Sequence, residues 1–319
     1  MKIAVLERNS VGTDIDVTCF EKYGEVAYYR NTVKEDTPEK VKDVDIIIAN
    51  KAPMNEETLK DAPNVKLICE FATGFDNVDL DYCKSRGIKV CNVVNYSTAA
   101  VAQHTFAMAL FLLENLSFYD NYVKSGEYGA QDRFSNFDRP FTEMDGKTWG
   151  IIGMGNIGKC AARIAEGFGC HVIFYSVTGK SSCTEYERVE FDELLKRSDF
   201  ISVHCPLSDL TRDLIDYEAM KKMKKTAILL NVARGPVVNN HDLYKALTEG
   251  EIAAAGLDVL EKEPIQADNP LSQIKDSTKL IITPHMAWAS TEARERVVEE
   301  VCKNIEAFLK GENRNVVNL

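Results

Sequence analysis

Arg234, Glu263 and His285 are residue types that can work together on a small acid, and each follows a short apolar run in the second half of the chain. They lie in Asn231-Val232-Ala233-Arg234-Gly235, Leu260-Glu261-Lys262-Glu263-Pro264 and Thr283-Pro284-His285. An arginine holds a carboxylate through two parallel hydrogen bonds, a histidine exchanges a proton near neutral pH, and a glutamate beside it orients the ring and stabilises its charged form. Singly, each has a plainer reading: a surface arginine, a solvated loop charge, a capping or core histidine. What binds them into one hypothesis is Gly153-Met154-Gly155-Asn156-Ile157-Gly158. It lies between the apolar run Thr148–Ile152 and a helical spacing of Ile157, Ala161, Ile164, Ala165 and Phe168, and a second apolar run, Val172–Tyr175, follows Gly169. Glycines between a strand and a helix, in a βαβ unit of about 30 residues, are a dinucleotide fingerprint. Gly153 permits the tight turn, Gly155 admits the pyrophosphate, and Gly158 lets the helix lie close on the strand with the phosphate at its N-terminus. Beside a nicotinamide, the Arg/Glu/His set is alcohol/ketone redox chemistry.

One part of the fingerprint departs from the NAD pattern. The acidic residue expected at the end of the second strand is replaced by Ser176, followed by Val177-Thr178-Gly179-Lys180. Ser176, Thr178 and Lys180 could accept the 2′-phosphate of NADP; equally, this is a polar turn and NAD is held by other contacts. No arginine is apparent at the turn to clamp a phosphate.

These residues need sheets to carry them. Strands are expected at Ile3–Leu6, Val26–Tyr29, Asp45–Ala49, Lys66–Cys69 and Lys89–Cys91, alternating with helical patterns at Asn55–Asp61 and Leu80–Ser85, which means a parallel α/β sheet. Loops at the carboxyl ends of such strands are ligand sites, and two stand out: Ala49-Asn50-Lys51 and Phe71-Ala72-Thr73-Gly74-Phe75. A single long helix is expected from Ala99 to about Lys124, with His104 packed inside it. Ser125–Gly146 reads as an irregular arm that packs on a second subunit. Further strands, Phe200–His204, Ala227–Asn231, Ala253–Asp258 and Leu280–Ile282, alternate with helical patterns at Phe191–Lys196, Tyr217–Met223 and His241–Glu249. A last helix, about Glu292–Lys310, has Val297, Val301, Ile305 and Phe308 on one stripe and could return to the first domain. The expected fold is α/β, with two doubly wound parallel-sheet domains and an interdomain cleft. A flavodoxin-like substrate domain takes residues 1–98 plus 290–319, and a Rossmann dinucleotide-binding domain takes 99–289.

Composition narrows the partners. The chain has 319 residues with 45% hydrophobic content, enough for two cores. A net charge of -11 argues against a nucleic-acid surface. The nine cysteines contain no C-x-x-C pair, which favours free thiols in a reducing cytoplasm over metal or disulfide roles. Met1-Lys2 runs directly into the first strand, so no signal peptide is expected, and Val101–Leu113 is too short and too interrupted to span a bilayer.

GMGNIG, HCPLSDLTRDLI, ILLNVARGPVV, AAAGLDVLEKEP and TPHMAWAS, in this order, together with FATGFDNVDL and NYSTAAVAQHTFAMAL, resemble the D-isomer-specific 2-hydroxyacid dehydrogenase family over nearly the whole chain. The resemblance implies Arg234 as carboxylate anchor, His285 as acid/base and Glu263, which directly precedes Pro264, as its partner in preference to Glu261. Cofactor contacts are expected from Gly153, Gly155, Asn156, Ile157, Gly158, Ser176, Thr178, Lys180, His204, Pro206, Thr211 and Val232, and the resemblance places Asp258 and the Ala233 carbonyl on the nicotinamide amide. Substrate contacts would come from Lys51, from the Thr73 and Gly74 amides, and from Trp288, besides Arg234 and His285. PHMAWAS and Asn50-Lys51 are most similar to the glycerate dehydrogenase/hydroxypyruvate reductase branch, which implies a small 2-oxo or 2-hydroxy acid; NAD or NADP is the expected cofactor, and the arm makes a homodimer the expected assembly. The alternatives are a D-lactate-type enzyme for larger 2-oxo acids and a nucleotide-sensing binding protein of the co-repressor kind.

Overall fold

Short apolar runs bounded by turn residues become strands, and the longer amphipathic stretches between them become helices. The structure, a computed structural model, describes residues 1–319, and the chain divides into two units, Met1–Ser97 with Ala289–Leu319 and Thr98–Trp288.

In the first unit β1 (Lys2–Val5), β2 (Glu25–Tyr28), β3 (Ile46–Ala49), β4 (Leu67–Glu70) and β5 (Lys89–Cys91) form one sheet in the order β2-β1-β3-β4-β5. Every pair is parallel. This is the flavodoxin-like order. β3 and β4 are buried along their whole length because helices cover both faces. The helix Thr291–Leu309 belongs to this unit; Val297, Val301 and Ile305 are its buried stripe, Ser290 caps its start, and Arg294 grips Asp14 with two contacts of 2.6 and 2.9 Å.

In the second unit β6 (Thr148–Ile152), β7 (His171–Tyr175), β8 (Glu187–Arg188), β9 (Phe200–Val203), β10 (Ile228–Asn231), β11 (Ala254–Leu257) and β12 (Leu280–Ile282) are ordered β12-β11-β10-β9-β6-β7-β8. All are parallel. Strand order reverses between β6 and β9, and in open α/β sheets that switch point is where ligands bind. At the sheet centre Trp149 is fully buried between Phe106 and Phe200, with ring centroids 4.3 and 5.1 Å away, and its Nε1 donates to Ser202 Oγ at 2.8 Å. Truncating such a ring costs about 3–5 kcal/mol.

Three local expectations need correction. The single helix expected from Ala99 is two, Thr98–Leu113 and Leu116–Lys124, broken where Asn115 takes a left-handed φ of 53°. The first buries eight residues and the second none, so no packed face carries the helix through the break. The two-residue strand β8 was not expected, being too short to give a periodic signal. β11 stops at Leu257, which leaves Asp258 in the loop rather than the strand. The arm after Ser125 contains only one short helix, Glu127–Ala130. No helix is long and apolar enough to cross a membrane.

Candidate active site

The turn after β6 is shaped by what its glycines exclude. Gly153 has φ +97°, and a Cβ there would stand 2.7 Å from Cys205 N in the loop after β9. At Gly158 a Cβ would stand 2.3 Å from the Gly153 carbonyl oxygen, so only glycine lets the helix Asn156–Gly167 start this close to the turn. Gly155 faces open space, as a backbone cradle for a pyrophosphate requires. Asn156 is exposed and Ile157 packs partly on the core. Beyond β9, both ring nitrogens of His204 are buried without a hydrogen-bond partner, and burial pushes its pKa down to about 4, so the ring is neutral at pH 7. Orphaned polar atoms in this loop fit a site completed by a ligand. The buried Thr211 hydroxyl donates to the Pro206 carbonyl at 2.8 Å and accepts from Ser208 N at 2.7 Å, closing the 206–211 loop. Pro206 itself is exposed.

At the end of β7, Ser176 is buried and its hydroxyl accepts from Ser181 N at 3.3 Å. Gly179, with φ +70°, donates its amide to the Ser176 carbonyl, and Thr178 Oγ1 accepts from Lys180 N at 3.4 Å. The expectation that no arginine serves this turn is wrong. Arg188 of β8 pairs in register with Phe174, and its Nη1 donates to the Gly179 carbonyl at 2.9 Å.

The loops after β10, β11 and β12 interlock. Asn231 donates to the Arg234 carbonyl and accepts from Ala233 N, while Arg234 Nη1 donates to the Ala233 carbonyl at 2.9 Å. A Cβ at Gly235 would fall 1.9 Å from the Leu260 carbonyl, so that glycine lets the Leu260–Glu263 loop come close to Arg234. The buried Asp258 carboxylate ties the His285 loop down. Oδ1 accepts from Thr283 Oγ1 at 2.6 Å and from Met286 N at 2.8 Å, and Oδ2 accepts from Ala287 N at 2.8 Å. His285 adopts a left-handed φ of 54°, a strained conformation for a non-glycine residue that such fastening sustains. Its Nδ1 lies 2.6 Å from Glu263 Oε2, and Glu263 Oε1 accepts from Leu260 N at 2.9 Å. Glu261 points elsewhere and accepts from Asn240 N at 2.7 Å. With Glu263 on Nδ1, the ring leaves Nε2 for proton exchange. Val232 is buried, Ala233 half-buried, and Trp288 packs partly on the core of this unit.

His104, expected only to be packed inside its helix, is linked to this loop. His104 Nε2 lies 2.9 Å from Thr283 Oγ1. Since the threonine donates its hydrogen to Asp258, it accepts from His104, and Nε2 carries the proton. No local signal marks that contact, because 179 residues separate the partners.

In the first unit, Glu7 Oε2 accepts three successive amides, Asn50, Lys51 and Ala52, at 2.7, 2.8 and 3.1 Å, and so fixes the turn carrying the exposed Lys51. The Thr73 hydroxyl donates to the Val93 carbonyl at 2.7 Å, whereas the Thr73 and Gly74 amides have no acceptor within the chain. Glu70, fully buried at the end of β4, meets only Asn77 Nδ2, at 3.3 and 3.4 Å; burial pushes its carboxyl up to about 8, the Glu7 carboxylate adding to this and Lys51 opposing it.

Residues 106–287 match the model of the D-isomer specific 2-hydroxyacid dehydrogenase NAD-binding domain, more than half of the chain. The chain belongs to the D-isomer-specific 2-hydroxyacid dehydrogenases. It is 39% identical over 325 residues, covering 100% of both chains, to a hydroxypyruvate reductase of Blautia hydrogenotrophica. It is 38% identical to a glycerate dehydrogenase of Methylorubrum extorquens, over 99% of this chain and 98% of that one. Among solved structures it is similar to a D-lactate dehydrogenase of Aquifex aeolicus complexed with NAD and lactic acid, with TM-score 0.86, 32% identity and coverage of 100% and 99%. An acyclic imino acid reductase in complex with NADPH and D-Arg gives TM-score 0.88 and 29% identity, with coverage of 99% and 100%. This family member is therefore an oxidoreductase with a nicotinamide dinucleotide as cofactor, NAD or NADP.

Proposed function

We propose that this dehydrogenase reduces hydroxypyruvate or glyoxylate to D-glycerate or glycolate. The observation that carries the reading is the Glu263–His285 contact at 2.6 Å on a loop fastened by Asp258, because it makes a proton donor out of a histidine at the sheet edge that holds the glycine turn. The curated relatives named hydroxypyruvate reductase and glycerate dehydrogenase support the choice of substrate. When bound, the nicotinamide supplies the hydride. The residues for holding the dinucleotide are Gly153, Gly155, Asn156, Ile157 and Gly158 on the pyrophosphate and Ser176, Thr178 and Lys180 at the ribose. His204 and Pro206, in a loop that Thr211 closes, would flank it, with Val232, the Ala233 carbonyl and Asp258 at the amide. Asp258 still has one lone-pair site on Oδ2 for that purpose.

Arg234 pairs with the substrate carboxylate, His285 Nε2 gives its proton to the carbonyl oxygen as it becomes a hydroxyl, and Glu263 stabilises the imidazolium before that transfer. In the oxidation direction His285 takes the proton back. Lys51 and the Thr73 and Gly74 amides serve the same carboxylate, and Trp288 limits the substrate side chain. We also propose a homodimer that uses the arm Ser125–Gly146, since Phe134, Phe137 and Phe141 are 90%, 72% and 56% exposed there. The nine unpaired cysteines suit a reducing cytoplasm.

A panel of 2-oxo acids assayed with NADH and NADPH tests the reading. Hydroxypyruvate or glyoxylate should be reduced faster than branched or aromatic 2-oxo acids, and Trp288→Ala should widen the range. Preference for phenylpyruvate in the unmutated enzyme would move it to the large-substrate branch.

A further inference from the structure

We propose that Arg188, together with Lys180 and the hydroxyls of Ser176 and Thr178, forms a receptor for a 2′-phosphate on the adenosine ribose, so that this enzyme prefers NADPH to NADH. The inference rests on the dehydrogenase reading, and it assigns a residue that lies outside the glycine fingerprint and its following turn.

Three observations carry it. The first is placement. The strand β8 is only two residues long, yet its parallel pairing sets Arg188 opposite Phe174, two residues before Ser176, where the ribose hydroxyls are expected. The second is preorganisation. Arg188 Nη1 is anchored on the Gly179 carbonyl at 2.9 Å, and the turn beneath it is closed by Gly179 N on the Ser176 carbonyl, also at 2.9 Å. A guanidinium has five donors, so one anchoring bond leaves the rest of the fork for a phosphate. The Ser176 oxygen accepts from Ser181 N, which leaves its hydroxyl hydrogen to donate to an anion.

The third is charge. In a chain with 49 acidic and 38 basic residues, the segment Ser176-Val177-Thr178-Gly179-Lys180-Ser181-Ser182-Cys183 contains no carboxylate. Arg188 and Lys180 have no carboxylate partner, and the acidic neighbour Glu187 is engaged by Arg197 through two contacts of 2.8 Å. Two cations without counter-ions flank a turn that lacks the acid used to hold a free 2′-hydroxyl. A dianionic phosphate satisfies both, whereas the hydroxyl of NADH finds no strong acceptor.

The test separates this inference from the dehydrogenase reading by measuring binding without turnover. Calorimetry should show 2′,5′-ADP binding to the wild type at least about tenfold more tightly than 5′-ADP, with a preference that weakens as salt rises. In the assay, Arg188→Ala should lower kcat/KM for NADPH about 10- to 100-fold and leave NADH within about twofold, and Arg188→Lys should recover part of the loss. Arg188 is exposed, so the variant should fold, which circular dichroism checks. Equal affinity for the two nucleotides, or an unchanged NADPH/NADH ratio in Arg188→Ala, would overturn the assignment while leaving the dehydrogenase intact. Binding of neither nucleotide would overturn both.

Discussion

Replacing Glu70 with glutamine should make the first unit more stable, and only at neutral to alkaline pH. The carboxyl is fully buried on the last residue of β4, has one side-chain partner in Asn77, and is pushed by burial from 4.5 up to about 8. The folded protein therefore binds a proton here that the unfolded chain has already released above about pH 4.5. Stability from this residue is full below about pH 4.5, declines as pH rises, and is lost above about pH 8. That gap, at about 1.4 kcal/mol per pH unit, corresponds to at most about 5 kcal/mol. Local opening that admits water would reduce it to about 2–3 kcal/mol. Glutamine has nearly the same shape, accepts from Asn77 through its amide oxygen and does not titrate. The two proteins should be about equally stable at pH 5, and Glu70→Gln should be the more stable by about 2–5 kcal/mol at pH 8.5. Urea dependence of amide exchange in the β4 peptide, followed by mass spectrometry at matched pH, reads this unit separately from the other. A difference that stays flat between pH 5 and 8.5 would refute the reasoning.

Glu263→Gln should reduce kcat for hydroxypyruvate by about 10- to 100-fold with little change in dinucleotide binding, since it replaces a charge-assisted contact at 2.6 Å with a neutral one. Glu261→Gln, which alters only the bond to Asn240 N, should cost less than about threefold; the reverse order would make Glu261 the partner. Replacing Phe134 and Phe137 together by serine should shift the protein from dimer to monomer in light scattering at micromolar concentration, and a wild-type monomer would remove the role given to the arm.

Much of this fold is legible because its strands are unbroken apolar runs ending at turn residues. Ile46–Ala49 and Ile228–Asn231 can hardly be anything but buried strands, and Gly158 must be glycine for a steric reason that acts within a few residues, the carbonyl oxygen of Gly153. The legible part of the site is likewise local: each of Arg234, Glu263 and His285 follows a strand of the same parallel sheet. What could not be read depends on register or on distant packing. Asn115 tolerates both helical and left-handed backbone, so the break between the two helices leaves no mark in the apolar pattern. Arg188 lies nine positions past Gly179, and only the pairing of β8 with β7 brings it back to the turn. Glu7, Glu70 and His104 read as ordinary charged or helical residues, because their partners lie 43 to 45, 7 and 179 positions away.

The most direct test of the central claim is reduction of hydroxypyruvate by His285→Ala, with dinucleotide binding measured on the same preparation by quenching of protein fluorescence. The glycine turn lies after β6 and His285 after β12, so the variant should bind NADH or NADPH as the wild type does and lose nearly all turnover, by about a thousandfold or more. Binding retained with activity lost supports His285 as the proton donor; full activity in His285→Ala contradicts the mechanism.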